Sequence, residues 1–137
     1  MVRMFARWFG IVYLLVGILG FIPGINAMRP PDEGVTVATS YGYLLGIFAV
    51  NAIHNIVHLG IGVWGVASSG STAKSVMFAR GLAVIYVVLA VAGFIPGLNT
   101  LFGLTPLFGS DIWLHLVSAG VAAYFGWGVR STETELT

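Results

Sequence analysis

The side chains able to do chemistry fall into two pairs at one spacing: His54 and His58, and Asp111 and His115, each pair inside an otherwise apolar segment. Residues four apart share a helix face, so each pair is a polar ridge. Asn51 and Asn55 flank the first ridge, and Gly62 and Gly65 continue its face. Ser118, Ala119, Ala122 and Gly126 continue the second, polar then small, the composition with which membrane helices pack closely.

Three chemistries suit these residues. In the first, Asn51, His54, Asn55, His58, Asp111 and His115 form a structural polar network that fixes helix register, since polar groups in lipid need partners and an interhelical hydrogen bond contributes about 1 kcal/mol. In the second, His58 and His115 ligate a haem b iron from opposite sides, the nearby small residues making room for the macrocycle. In the third, His54, His58, Asp111 and His115 give a tetrahedral three-His, one-Asp site for zinc or another divalent metal. Proton or pigment handling stays open beside them. The chain has no cysteine, which excludes disulfides and thiolate sites. It also lacks a nucleophile with a base at a recognised spacing, a phosphate-cradling glycine loop and a His-Glu-x-x-His signature, so the sequence favours a non-enzymatic role.

The elements that position these residues are apolar. The 137 residues are 58% hydrophobic and 8% charged, against about 25% charged in an ordinary soluble domain. The apolar excess comes in four blocks at about 5–22, 40–66, 76–95 and 111–129, each near the ~20 residues that span hydrocarbon. This predicts one transmembrane domain over 1–137, an all-α integral four-helix bundle. A net charge of +1 argues against a nucleic-acid partner. Pro23-Gly24 and Pro96-Gly97 read as stops for the first and third helices. Arg29 to Gly34 reads as a solvated turn, and Tyr41, Tyr43 and Trp64 as interfacial aromatics. The uncharged stretch 98–110 is expected to lie in the interface or dip into the bilayer, and the tail 130–137 is polar.

The two halves repeat. Met4-Phe5-Ala6-Arg7 recurs as Met77-Phe78-Ala79-Arg80, Tyr13 as Tyr86, and Gly20-Phe21-Ile22-Pro23-Gly24 as Gly93-Phe94-Ile95-Pro96-Gly97. Eleven of the twenty-three positions from Met4 to Asn26 match at constant spacing, more than shared apolar composition produces, so a duplicated two-helix hairpin is the economical reading. The copies then form two tandem, parallel-related hairpins. Aligning His58 with His115 pairs His54 with Asp111, with a gap in the first connection, and brings the four side chains toward the pseudo-axis. Tyr13 and Tyr86 read as packing residues, Arg7 and Arg80 as cations that snorkel to headgroups.

With Gly-Phe-Ile-Pro-Gly, His54-Asn55-Ile56-Val57-His58-Leu59 and Asp111-Ile112-Trp113-Leu114-His115-Leu116 in hand, nearly the whole chain resembles the bacterial membrane family catalogued as domain of unknown function 4383. The stretch from Asn99 to Asp111 looks most like its cyanobacterial members. The resemblance implies four transmembrane helices in an inner (plasma) or thylakoid membrane and supplies no activity. The leading expectation is a structural or accessory component, acting alone, as a homo-oligomer or within a larger respiratory or photosynthetic assembly. The rival is the haem- or metal-binding protein described above.

Arg3, Arg7, Lys74, Arg80 and Arg130 fall on the side of the termini and middle loop, and Arg29 opposite, so the positive-inside rule makes both termini cytoplasmic. A reporter fused after Gly34 is predicted to be exported and one fused after Ser71 retained; the reverse pattern contradicts the assignment.

Overall fold

The computed structural model of the protein describes residues 1–129. The tail 130–137, and with it Arg130 of the charge-asymmetry reading, lies outside the described residues. Four α-helices carry the described chain: α1 (Val2–Leu19), α2 (Ala52–Ser68), α3 (Thr72–Gly93) and α4 (Ser110–Ala123), the last continued by a π-helical turn over Tyr124–Gly128. α1 and α3 are long and apolar enough to cross a membrane, and α2 is a shorter apolar helix. Large apolar side chains point outward from every helix, among them Trp8 and Val12, Val63, Val84 and Val88, and Trp113 and Val117.

The fold is not purely helical. β1 (Asn26–Met28), β2 (Gly42–Leu44) and β3 (Phe48–Val50) form a small antiparallel sheet in that order, with Ala27 opposite Tyr43 and Tyr43 opposite Ala49. The second helix therefore starts at Ala52 and not near residue 40, and the apolar run before it is a hairpin. Leu45 (φ 54°) and Gly46 (φ 74°) turn that hairpin through backbone angles no helix allows. Gly42 packs so tightly on Asn26 and Ala27 that a Cβ there has no room.

The first and third helices end the same way, and earlier than proline alone requires. α1 stops at Leu19, and Phe21 and Ile22 donate to Ile18 and Leu19 in tightened turns; α3 stops at Gly93, and Phe94 and Ile95 donate to Val91 and Ala92. Gly24 (φ 94°) and Gly97 (φ 86°) supply the left-handed residue in the reversal that follows.

α1 packs mainly on α2 and α3 mainly on α4, with α1 also meeting α3, whereas α1 and α4 scarcely touch. Glycines make the α1–α2 contact: a Cβ on Gly10 would lie 2.6 Å from the Val66 backbone nitrogen. Phe5, Phe78, Leu82 and Tyr86 fill the core beside Ala119 and Ala122, and Phe125 stacks on Phe5 at 4.6 Å. Two arginines serve helix C-terminal ends, where cations are favoured. Arg3 Nε donates to the Ser69 carbonyl (3.0 Å), and Arg80 Nε to that of Gly126 (2.8 Å).

At the opposite end the connections form a protein-packed cap. The 98–109 segment folds onto the first connection: the Thr36 backbone N–H and hydroxyl both donate to the Gly103 carbonyl, at 2.8 and 3.0 Å. Tyr41 and Tyr43, read from sequence as interfacial aromatics, donate their hydroxyls to Asp32 Oδ2 at 2.8 and 2.6 Å, while Arg29 pairs with Oδ1 and lies over the Tyr43 ring.

The Tyr43 hydroxyl foremost, then Tyr41 and Arg29, hold the Asp32 carboxyl below its usual range against an opposing desolvation cost. A carboxylate depressed in the folded state stabilises fully above its unfolded pKa, and the contribution is lost as pH falls through the folded value. The near-ultraviolet tyrosine signal of the cap is thus predicted to hold from neutrality to about pH 4, the ordinary aspartate range, and to change below it. An Asp32→Asn variant should lack this transition, and its persistence there would assign the acid response to another group.

Candidate functional site

Asn51 sets the geometry of the site. Its backbone is extended (φ −145°), and its Oδ1 accepts from the His54 backbone N–H at 3.0 Å, a side-chain N-cap. Its Nδ2 donates to the carbonyls of Leu104 (2.8 Å) and Val37 (3.2 Å), tying the start of α2 to both connections. α2 therefore begins at Ala52, His54 falls in its first turn and His58 one turn deeper. Asp111 sits in the first turn of α4, where the helix dipole favours a carboxylate, and His115 follows one turn deeper.

The two ridges meet. The rings of His54 and His58 are 4.5 Å apart and those of His54 and His115 6.4 Å. Two tyrosines brace them: Tyr13 lies edge-on to His58 at 5.3 Å, Tyr86 stacks on His115 at 5.0 Å, and the tyrosine rings are 5.9 Å from each other. His54, His58, Asp111 and His115, each at most 6% exposed, line one cavity of about 200 Å³ together with Tyr13 and Ser118. Its apolar wall is Phe9, Val12 and Val16 from α1 and Leu114 from α4.

Four lining side chains, and Tyr86 stacked beside His115, each keep one buried polar atom without a partner. Nδ1 of His54, His58 and His115, Oδ2 of Asp111 and the hydroxyl of Tyr86 are all buried without a hydrogen bond. Asn51, by contrast, uses both ends of its amide. Asn55 is also unpartnered, but it packs into the space left by Gly20 on α1 and does not line the cavity. The six-residue network expected from sequence thus divides into a structural joint at Asn51, a side pocket at Asn55 and four residues sharing the cavity.

The sequence model of the family described as Domain of unknown function (DUF4383) matches residues 3–128. The chain belongs to DUF4383. Neither a curated protein nor a solved structure matches it. The DUF4383 description names no activity, so the chemistry of the site rests on its geometry.

That geometry tests both cofactor readings. Among the described residues no three His, Asp or Glu side chains converge as a metal-holding group, so the arrangement lacks the tetrahedral convergence the three-His, one-Asp reading needs. The cavity of about 200 Å³ is below the ~300 Å³ at which pockets for drug-sized ligands begin, and a macrocycle gripped between His58 and His115 does not fit it. Sequence reasoning assigned Tyr13, Tyr86 and Ser118 to packing. The repeat placed each tyrosine at an equivalent position, but that each would lie against a histidine depended on inter-helix geometry.

If Asn51 is structural and the histidines are not, substitutions should separate them. His58→Phe keeps a ring against Tyr13 and removes an unpartnered nitrogen, so its melting temperature should equal or exceed that of the wild type. Asn51→Ala loses a cap and strands two carbonyls, and should cost about 1–3 kcal/mol. Equal destabilisation by both would assign the histidines to the scaffold.

Proposed function

We propose that this DUF4383 protein is a multi-pass integral membrane protein, and that its cavity receives a small lipid-soluble molecule from the bilayer. In this reading all four helices cross the membrane as two tandem, parallel-related hairpins with cytoplasmic termini. The host membrane is of plasma or thylakoid type. The outward apolar side chains of all four helices support crossing, and the short outer ends of α2 and α4 are completed by a cap whose irregular backbone is packed in protein, where lipid tolerates it. Three pairs of contacts support the hairpin duplication. Tyr13 lies on His58 as Tyr86 lies on His115. Gly20 receives Asn55 as Gly93 receives Ile112. The aligned carbonyls of Ser69 and Gly126 each accept from an arginine, although from Arg3 in one half and Arg80, the counterpart of Arg7, in the other.

The observation that carries the binding reading is a cavity of about 200 Å³ lined by His54, His58, Asp111 and His115, each of which also keeps a buried polar atom without a partner. Each costs about 1–3 kcal/mol when left unsatisfied, and together they rival the ~5–15 kcal/mol by which a domain is stable. A network selected only to hold helices together would close on itself, so a purely structural role has less behind it than a site completed by a guest.

The exposure of two lining residues supports an entry from the bilayer. Val12 and Leu114 are the cavity-lining residues most exposed, at 51% and 38%. They come from the two helices that scarcely meet, and Val12 lies midway along α1, so the mouth opens on the α1–α4 seam toward hydrocarbon. Native mass spectrometry of protein purified from its membrane is expected to show a discrete non-covalent small molecule that Val12→Trp, which closes the mouth, removes. A native mass equal to the sequence mass for the wild type would contradict the proposal.

A further inference from the structure

We infer that the outer face of α3 and α4 holds one acyl chain of an anionic phospholipid, with the lipid phosphate on Arg80. This rests on the membrane placement proposed above and is independent of the guest in the cavity.

A groove of about 510 Å³ runs between α3 and α4. Buried Ala83 and Ala119 lie at its bottom, exposed Val84 and Val88 rise on α3, and Gly120 and Trp127 lie along the other side. Comparison with the aligned first half shows why space is left here. Gly10 and Gly62 bring α1 and α2 so close that a Cβ on Gly10 would lie 2.8 Å from the Gly62 carbonyl oxygen; Ala83 and Ala119 stand at those positions in the second half. Outside that line of contact, Leu15, Val63 and Val66 give way to the smaller Val88, Gly120 and Ala123. α3 and α4 thus meet through larger residues and carry smaller ones on their outer face, and a Cβ on Gly120 would meet nothing within 4 Å.

Length and charge select the occupant. Leu116 and Trp127, the lining residues at the two extremes of this side, are separated by about 16 Å at 1.5 Å per residue, one leaflet of a ~30 Å hydrocarbon core. Arg80 stands one turn before Val84 on the same face of α3. Its guanidinium lies over the Trp127 ring, 5.4 Å from the centroid, and is held there by the bond from Nε to the Gly126 carbonyl. Among the described residues it pairs with no carboxylate, and the described acids Asp32, Glu33 and Asp111 belong to the opposite end of the bundle. A fork of N–H donors at the end of an apolar groove suits a phosphate that carries a chain. A second copy docked groove to groove about a two-fold along the membrane normal would set two Arg80 side chains at one depth without an anion between them.

The full chain, exchanged into micelles holding equal amounts of dioleoyl phosphatidylglycerol and dioleoyl phosphatidylcholine, should retain one phosphatidylglycerol in native mass spectrometry. Its preference over phosphatidylcholine should be about fivefold, the order expected of one cation facing anionic lipid. Gly120→Leu, which fills the groove from open space, should abolish retention of both lipids at an unchanged melting temperature, Arg80→Gln should remove the preference, and Val12→Trp should leave it intact. Equal retention of the two lipids by the wild type would overturn the phosphate assignment. A phosphatidylglycerol preference that survives Gly120→Leu, or a dimer that this variant breaks, would overturn the groove as a lipid site. Retention of neither lipid by a protein that still needs detergent would overturn the inference and leave the membrane placement standing; solubility without detergent would overturn both.

Discussion

A hydrogen-bonding group buried in an apolar bundle costs about 1–3 kcal/mol when it has no partner, and the described chain meets that constraint with care at its edges. Asn51 spends its acceptor on the α2 N-terminus and its donors on two separate loops. Arginines take up carbonyls at the ends of α2 and of the π turn after α4, and Asp32 is held by two tyrosines and an arginine. Unpartnered polar atoms remain at Asn26, Asn55 and Thr105, and five more gather at the His–Asp–Tyr cluster beside the cavity.

The four chemistry-bearing residues were legible because helical spacing is a local property: an i, i+4 pair shares a face wherever the helix goes. The Phe-Ile-Pro-Gly repeat likewise exposed the matching ends of α1 and α3. Residues 40–50 read as helix from sequence because their apolar run is as long as a buried helix segment, and Leu45, a non-glycine residue at positive φ, carries no mark of its conformation. The Asn51-to-His54 spacing was the available sign that the helix starts there. The Asp32 latch and the paired Tyr13–His58 and Tyr86–His115 contacts join residues distant in sequence and needed the fold to appear.

Within the proposed duplication, the differences between the halves are as informative as the likenesses. The first connection carries the three-stranded sheet, which accounts for the gap needed to align His58 with His115. His54 on α2 stands where α4 has Asp111, so the repeat places unlike groups opposite each other. α1 closes on α2 through glycines but leaves a seam with α4, and that seam gives the polar cluster an apolar mouth. Phe125 stacks on Phe5 toward the other end of α1, away from Val12 and Leu114.

The most direct measurement is an experimental density map of the protein in a lipid bilayer at a resolution that separates ordered water from a bound lipid-soluble molecule. The account predicts continuous density in the cavity between α1 and the histidine and Asp111 side chains, extending past Val12 into the seam. A cavity holding only discrete waters, or one collapsed so that those side chains bond each other, would contradict it.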